Sequence, residues 1–132
     1  MTSLYQRRVA LWAPAGNMTS VESHLSELGC RVERISDFDE LWNLMERDLD
    51  LVVVRCSDAP EILFWMNGVR RAGSSTPPVL TVAGSHDVEQ YLKTMALGAF
   101  DCISLPVQDA ELERVVCRAV EERRAEPLQL VS

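Results

Sequence analysis

The segment Asp50-Leu51-Val52-Val53-Val54-Arg55-Cys56 decides how this chain folds. It is a short apolar run rich in β-branched residues, which is typical of a strand buried on both faces in the middle of a parallel sheet. Open parallel sheets place their functional sites just beyond the carboxyl ends of such strands. The residue at that end is Arg55, so an arginine is predicted to face the site.

Similar apolar runs alternate with stretches of helical periodicity along the rest of the chain. Strands are predicted at Val9–Trp12, Cys30–Ile35, Val79–Val82 and Phe100–Ser104. Helices are predicted to begin at Thr19, at Asp37, near Pro60, after Ser85 and at Asp109. Because strands and helices alternate five times with short connections, the sequence predicts an α/β fold of three layers, with helices on both faces of a five-stranded parallel sheet.

The size and charge of the chain limit its function. With 132 residues and 47% hydrophobic content, it is predicted to form one domain, at residues 7–124, between a loose lead-in at 1–6 and a tail or linker at 125–132. The net charge of −7 argues against contact with nucleic acid or an anionic membrane. No apolar run approaches the length of a membrane span, so we expect a cytoplasmic protein.

The cysteines occur singly and have no histidine at the spacing of metal ligands. They are Cys30, Cys56, Cys102 and Cys117. This pattern favours free thiols over disulfides or a zinc site. We therefore expect neither a metal nor another cofactor.

The chain resembles the receiver domain of bacterial two-component response regulators over about residues 7–124. The resemblance is carried by Pro78-Val79-Leu80-Thr81-Val82-Ala83-Gly84, then Asp87-Val88-Glu89, then Ala96-Leu97-Gly98-Ala99-Phe100-Asp101-Cys102-Ile103-Ser104-Leu105-Pro106, then Glu111-Leu112. It is similar to the receivers that precede AAA+ transcriptional activators. The resemblance implies a flavodoxin-like sheet with strand order 2-1-3-4-5 and an attached output domain.

The resemblance also implies a phosphate-accepting site. In such receivers, acids after the first strand and an aspartate after the third hold magnesium, while a hydroxyl and a lysine on the fourth and fifth strands contact the phosphate. In this sequence the acidic pair falls at Ala13 and Pro14, or one residue earlier if the first helix is aligned without a gap. The acceptor falls at Arg55, the hydroxyl at Ala83, the lysine at Leu105 and an aromatic switch residue at Cys102. No acid precedes Glu22, and the only lysine is Lys93. These departures remove the metal, the nucleophile and the phosphate sensor together.

Three interpretations of Arg55 remain open. Its guanidinium can pair with Asp58 or Glu61 and hold the next loop in one state. Alternatively it extends to solvent without a role, or it binds an anion or nucleotide together with Ser57 and the backbone amides near Gly84. Asp58 is interpreted as a helix cap rather than a displaced phosphate acceptor.

A partner surface is expected on the fourth helix, the fifth strand and the fifth helix, where many receivers dimerise. Tyr91, Met95 and Cys102 belong to it. Tyr91 shares helical spacing with Val88 and Met95, and this spacing alone favours a core position. In the third helix, Phe64 and Trp65 are adjacent, so one of them is expected to be exposed.

We therefore expect an atypical receiver that is not an enzyme. It would act without phosphorylation, by homodimerisation or by contact with a protein partner or an output domain such as a transcriptional regulator. The alternative is a small-molecule or anion-binding module, or an enzyme, that uses the crevice at Arg55.

Overall fold

Five strands and five helices alternate along the chain, as the sequence predicts. The computed structural model describes residues 3–13, 18–55, 59–70, 76–84 and 87–131, without the side chains of 59 and 123–131. The elements are β1 (Arg8–Trp12), α1 (Thr19–Glu27), β2 (Arg31–Arg34), α2 (Phe38–Met45), β3 (Leu51–Arg55), α3 (Ala59–Arg70), β4 (Val79–Ala83), α4 (Val88–Ala96), β5 (Asp101–Ser104) and α5 (Asp109–Val131).

The strands form one sheet in the order β2-β1-β3-β4-β5, and every neighbouring pair is parallel. This confirms the predicted fold class and strand order. The four residues of β3 before Arg55 are fully buried, because β1 and β4 flank the strand and helices cover both faces of the sheet.

Alternate residues of β3 contribute to two separate hydrophobic cores. Leu51 and Val53 join the core beneath α1 and α5, whereas Val52 and Val54 join the core beneath α2 and α3. Successive side chains of a strand point to opposite faces, so this division follows from the sequence of one strand. Arg55 continues the alternation and lies on the face covered by α1 and α5.

An aromatic cluster joins α2 to α3. The ring of Phe38 lies 4.7 Å from the rings of both Phe64 and Trp65, and 5.8 Å from that of Trp42. The indole nitrogen of Trp42 donates to the carbonyl oxygen of Gly68 at 3.0 Å. Trp65 is buried and Phe64 is 53% exposed, which confirms that only one of these neighbours faces the core.

The ends of the chain differ from the prediction. The expected loose lead-in is anchored, because Leu4 is buried in the core and the Gln6 N–H donates to the Gly29 carbonyl at 2.7 Å. The tail or linker predicted at 125–132 is helical as far as Val131, where α5 ends. Glu, Arg and Ala are strong helix formers, which favours this extension of the helix.

Three cysteines within the described residues carry free thiols, as predicted, and Cys56 lies outside them. Cys30 is buried, whereas Cys102 and Cys117 are half-buried. Burial raises the pKa of Cys30 to about 11 and also raises the pKa of Cys117. In the ranges that the structure describes, no helix has both the length and the apolar composition to cross a membrane.

Candidate functional site

The candidate site lies where β1, β3, β4 and β5 end, at the carboxyl edge of the sheet. Arg55 is the last residue of β3 and is paired in register with Val82. Its side chain is half-buried. The sequence-based placement of an arginine at this edge is therefore reproduced by the structure.

The Arg55 guanidinium lies against Gly84. A β-carbon at position 84 would be 2.7 Å from Arg55 Nη2 and 3.7 Å from its Cζ. Leu80 and Val82 of β4 belong to the core beneath α1 and α5. Because every second residue of a strand lies on the same face of the sheet, position 84 lies on the face that Arg55 also occupies. From the sequence, Gly84 was expected only to supply backbone amides. Gly84 and Arg55 lie side by side because of the register between β3 and β4, which the sequence does not show.

Glu61, one of the two proposed partners of Arg55, is half-buried in the first turn of α3. Asp58, the other proposed partner, lies outside the described residues, as does Ser57. The geometry also differs from simple extension into solvent, since Gly84 contacts the guanidinium. The observed contact is therefore steric and occurs between neighbouring strand ends.

The residues expected from the resemblance at the acidic pair, the hydroxyl and the lysine positions are apolar. Ala13 and Leu105 are half-buried and pack against the core beneath α1 and α5, and Ala83 is buried at the end of β4. The Leu105 N–H donates to the Ala83 carbonyl at 2.9 Å, so backbone pairing continues past β5. Pro14 lies outside the described residues.

This lining does not fit magnesium, which prefers oxygen ligands from carboxylates, carbonyls and water. Alanine and leucine side chains offer no ligand atom, and a guanidinium repels the cation. Within the described part of the chain, no three His, Cys, Asp or Glu side chains are grouped so that they could hold a metal ion. The described residues of this edge therefore assign no reaction step to a metal.

A second feature lies between α4, β5 and the start of α5. A cavity of about 280 Å³ is lined by Tyr91 and Cys102 together with Ala83, Asp87 and Glu111. The structure thus brings together two of the three residues expected on the partner surface. Met95, the third, is half-buried one turn beyond Tyr91 and does not line this cavity.

The core position favoured for Tyr91 was wrong. Tyr91 is 40% exposed, and Val88 and Leu92 are 61% and 60% exposed. The buried residue of α4 is Thr94, whose hydroxyl donates to the Gln90 carbonyl at 2.7 Å. Thr94 satisfies its hydroxyl within the helix, so it can face the sheet while the apolar stripe points outward. We call Val88, Tyr91 and Leu92 the α4 face.

The fold is that of receiver domains. NtrX from Brucella abortus, solved in complex with ADP, is 20% identical with a TM-score of 0.77 over 92% of this chain. The receiver domain of the sensor histidine kinase PA1611 from Pseudomonas aeruginosa, which has magnesium in its active site cleft, is 22% identical with a TM-score of 0.66 over 88% of this chain. The beryllofluoride-activated NtrC4 receiver domain dimer is 17% identical with a TM-score of 0.66, also over 88%.

This chain spans 28% of the NtrX chain and 98% of each of the two isolated receiver domains. No protein-family model matches the sequence, and no curated protein matches it by sequence. At these identities the similarity establishes the fold.

Proposed function

We propose that this domain is a non-enzymatic, receiver-like module that signals by protein contact without phosphorylation of an aspartate. The proposal is supported by one observation: the guanidinium of Arg55, at the carboxyl end of β3, lies against Gly84. The resemblance to receivers implies that this is the position of the phosphate acceptor. An arginine side chain has no nucleophilic oxygen and does not bind magnesium. The apolar residues at Ala13 and Leu105 agree with this, because neither can bind a metal or a phosphate.

In this proposal, Arg55 fills part of the crevice permanently. A fixed group in the crevice would favour one arrangement of the connection between β4 and α4. The module would then present a constant surface to its partner rather than a switched one.

A direct test is incubation with a small phosphodonor and magnesium, followed by intact-mass measurement. We expect no gain of a phosphoryl group under conditions that modify a receiver with an acceptor aspartate. The variant Asp58→Ala is the matched control for a displaced acceptor. A mass gain in the wild type that disappears in Asp58→Ala would overturn the proposal.

The contact surface that we propose is the α4 face with β5 and the start of α5, used in a homodimer or to bind an attached output domain. Three large apolar side chains are exposed on one short helix, and apolar patches of this kind often mark interaction sites. The NtrC4 receiver, which shares the fold, is a dimer in its activated form.

Sedimentation of the wild type and of charged variants tests this surface. Leu92→Glu places a carboxylate in the α4 face and is expected to abolish association. Leu63→Glu is the matched control, because Leu63 is exposed on α3, outside the face. Equal weakening by both variants, or a wild type that stays monomeric at high concentration, would contradict the homodimer.

The alternative function is anion binding at Arg55, whose half-buried guanidinium lies at the carboxyl edge of the sheet. A thermal-shift screen with phosphate, sulfate and nucleotides addresses it, because a ligand that binds only the folded state raises the melting temperature. A rise that is lost in Arg55→Gln would support this alternative over the contact module.

A further inference from the structure

We propose that His24 binds a proton in mildly acidic surroundings and thereby fastens the start of α5 to the last turn of α1. His24 lies in that turn, and its ring contacts Asp109, the first residue of α5. The His24 side chain is 12% exposed. The site shares no residue with the crevice at Arg55, so the inference does not depend on the proposed function.

Three acceptor atoms face the two nitrogens of the imidazole ring. Nε2 lies 3.1 Å from the carbonyl oxygen of Asp109. Nδ1 lies 3.5 Å from Asp109 Oδ1 and 3.6 Å from Glu27 Oε2. Within the described part of the chain, Nδ1 is buried and has no hydrogen-bond partner.

These acceptors match the charged form of the ring better than either neutral form. A neutral imidazole has one N–H group, so only one of its nitrogens can donate. If Nε2 carries the hydrogen, it donates to the Asp109 carbonyl, and the lone pair of Nδ1 faces two carboxylates. If Nδ1 carries it, the lone pair of Nε2 faces the carbonyl oxygen. The imidazolium has a hydrogen on each nitrogen and can serve both sides.

The two helix ends favour the same distribution of charge. The last turn of a helix attracts cations and the first turn attracts anions, because the backbone dipoles are aligned. His24 is in the last turn of α1, and Asp109 is in the first turn of α5. A proton on His24 therefore completes an ion pair whose members each lie at the favourable end of a helix.

The charged groups nearest to this pair in the sequence of α1 and α5 have other surroundings. Glu22 of α1 accepts from Nε of Arg34, on β2, at 3.0 Å. Glu111 of α5 lines the cavity next to the α4 face, and Glu113 is exposed one turn after Asp109. The two carboxylates named above are therefore the charged groups that face the imidazole ring, one from each helix.

Two effects limit the gain that the proton can bring. Burial of the ring opposes its charge. The carboxylates of Glu27 and Asp109 are 74% and 78% exposed, so water screens them. Ion pairs of this exposure change the ratio of folded to unfolded protein by up to about fivefold, and we expect a gain of about that size.

Urea unfolding at two pH values tests the proposal in the His86→Gln background, where His24 is the only histidine of the chain. An ordinary histidine takes up its proton between about pH 8 and about pH 5.5. Relative to a variant that also carries His24→Gln, the ratio of folded to unfolded protein should rise about fivefold over this interval. No rise, or a fall, would overturn the proposal.

Substitution of the acids separates a proton site from a merely structural contact. With Glu27→Gln and Asp109→Asn together, side-chain amides can donate to Nδ1 of the neutral ring, so the rise should shrink to less than about twofold. Glu111→Gln with Glu113→Gln is the matched control, because both acids are exposed on α5, and it should keep the full rise. A full rise in the first pair, or an equal loss in the control, would refute the assignment.

Amide hydrogen exchange locates the effect on α5. The Leu112 N–H donates to the Gln108 carbonyl at 3.0 Å at the start of this helix. Its protection factor, which is corrected for the intrinsic exchange rate, should rise about fivefold on acidification of His86→Gln and stay constant when His24→Gln is added. A protection factor that does not respond to pH while His24 is present would contradict the attachment of α5 to α1.

Discussion

Replacing Gly84 by alanine tests the contact between the ends of β3 and β4. The new β-carbon would lie 2.7 Å from Arg55 Nη2, closer than non-bonded carbon and nitrogen atoms approach. Gly84 is not among the glycines with positive φ, so its backbone accepts alanine without strain. The atoms near the new β-carbon belong to the Arg55 guanidinium, which is the end of a flexible side chain.

The expected energies follow from two opposing effects. Where the backbone is compatible, a Gly-to-Ala change stabilises a protein by about 0.4–1 kcal/mol, since it restricts the unfolded chain. Displacing the guanidinium into a poorer rotamer costs about 0.5–1.5 kcal/mol. In the wild type we therefore expect a net change near zero. In an Arg55→Ala background the clash is absent, and Gly84→Ala should stabilise the protein by the full value of about 0.4–1 kcal/mol.

The coupling between the two positions is thus about 1 kcal/mol, which a double-mutant cycle can resolve. The four proteins would be unfolded in urea, with tryptophan fluorescence as the signal and linear extrapolation to water. A coupling below about 0.3 kcal/mol would refute the contact. Stabilisation by Gly84→Ala of equal size in both backgrounds would mean that the guanidinium points away from β4.

Two further predictions concern the packing of the domain. Gly68→Ala should destabilise the domain by about 1–3 kcal/mol in the same urea assay. A β-carbon at position 68 would clash with the Phe38 ring, which contacts three other aromatic rings. An effect as small as that of Gly84→Ala would contradict this clash. Burial raises the pKa of the Cys30 thiol to about 11 from an ordinary value of 9.0. Above pH 9 the thiol therefore ionises in the unfolded chain before it ionises in the folded one. The stabilisation by the buried thiol is complete below pH 9 and decreases as the pH rises towards 11. Relative to Cys30→Ala, the wild type should lose about 1–2 kcal/mol over this interval, allowing for partial solvent screening, and parallel pH profiles would count against the shift.

The fold could be predicted from the sequence because its strongest signals are local. The apolar run Leu51–Val54 has one stable environment, the middle of a parallel sheet, and the structure buries all four residues. The capping side chain of Asp37 marked a helix start correctly, since it accepts from the Glu40 N–H. At the start of α4 the cap is Asp87, which accepts from the Glu89 and Gln90 N–H groups and was not predicted. These features depend on neighbours within a few positions.

Features that depend on distant residues could not be predicted in this way. The apolar spacing on α4 shows that one face of the helix is apolar, but the sequence does not state what covers it. The contact of Gly84 with Arg55 requires the register between β3 and β4, and the contact of His24 with Asp109 requires α1 and α5 to lie side by side. Periodicity carries none of this information.

The residues at the carboxyl edge are consistent with one another electrostatically. A lysine at position 105 would place a second cation on the edge that holds the Arg55 guanidinium, and two cations on one edge repel each other. Leucine at that position removes the repulsion, and glycine at 84 provides space for the guanidinium. Acids at positions 13 and 14 would instead pair with Arg55 and draw it towards β1, away from Gly84. The apolar residue at 13, the leucine at 105 and the glycine at 84 therefore all favour the guanidinium position that the structure shows, as expected if this position is itself the functional feature of the site.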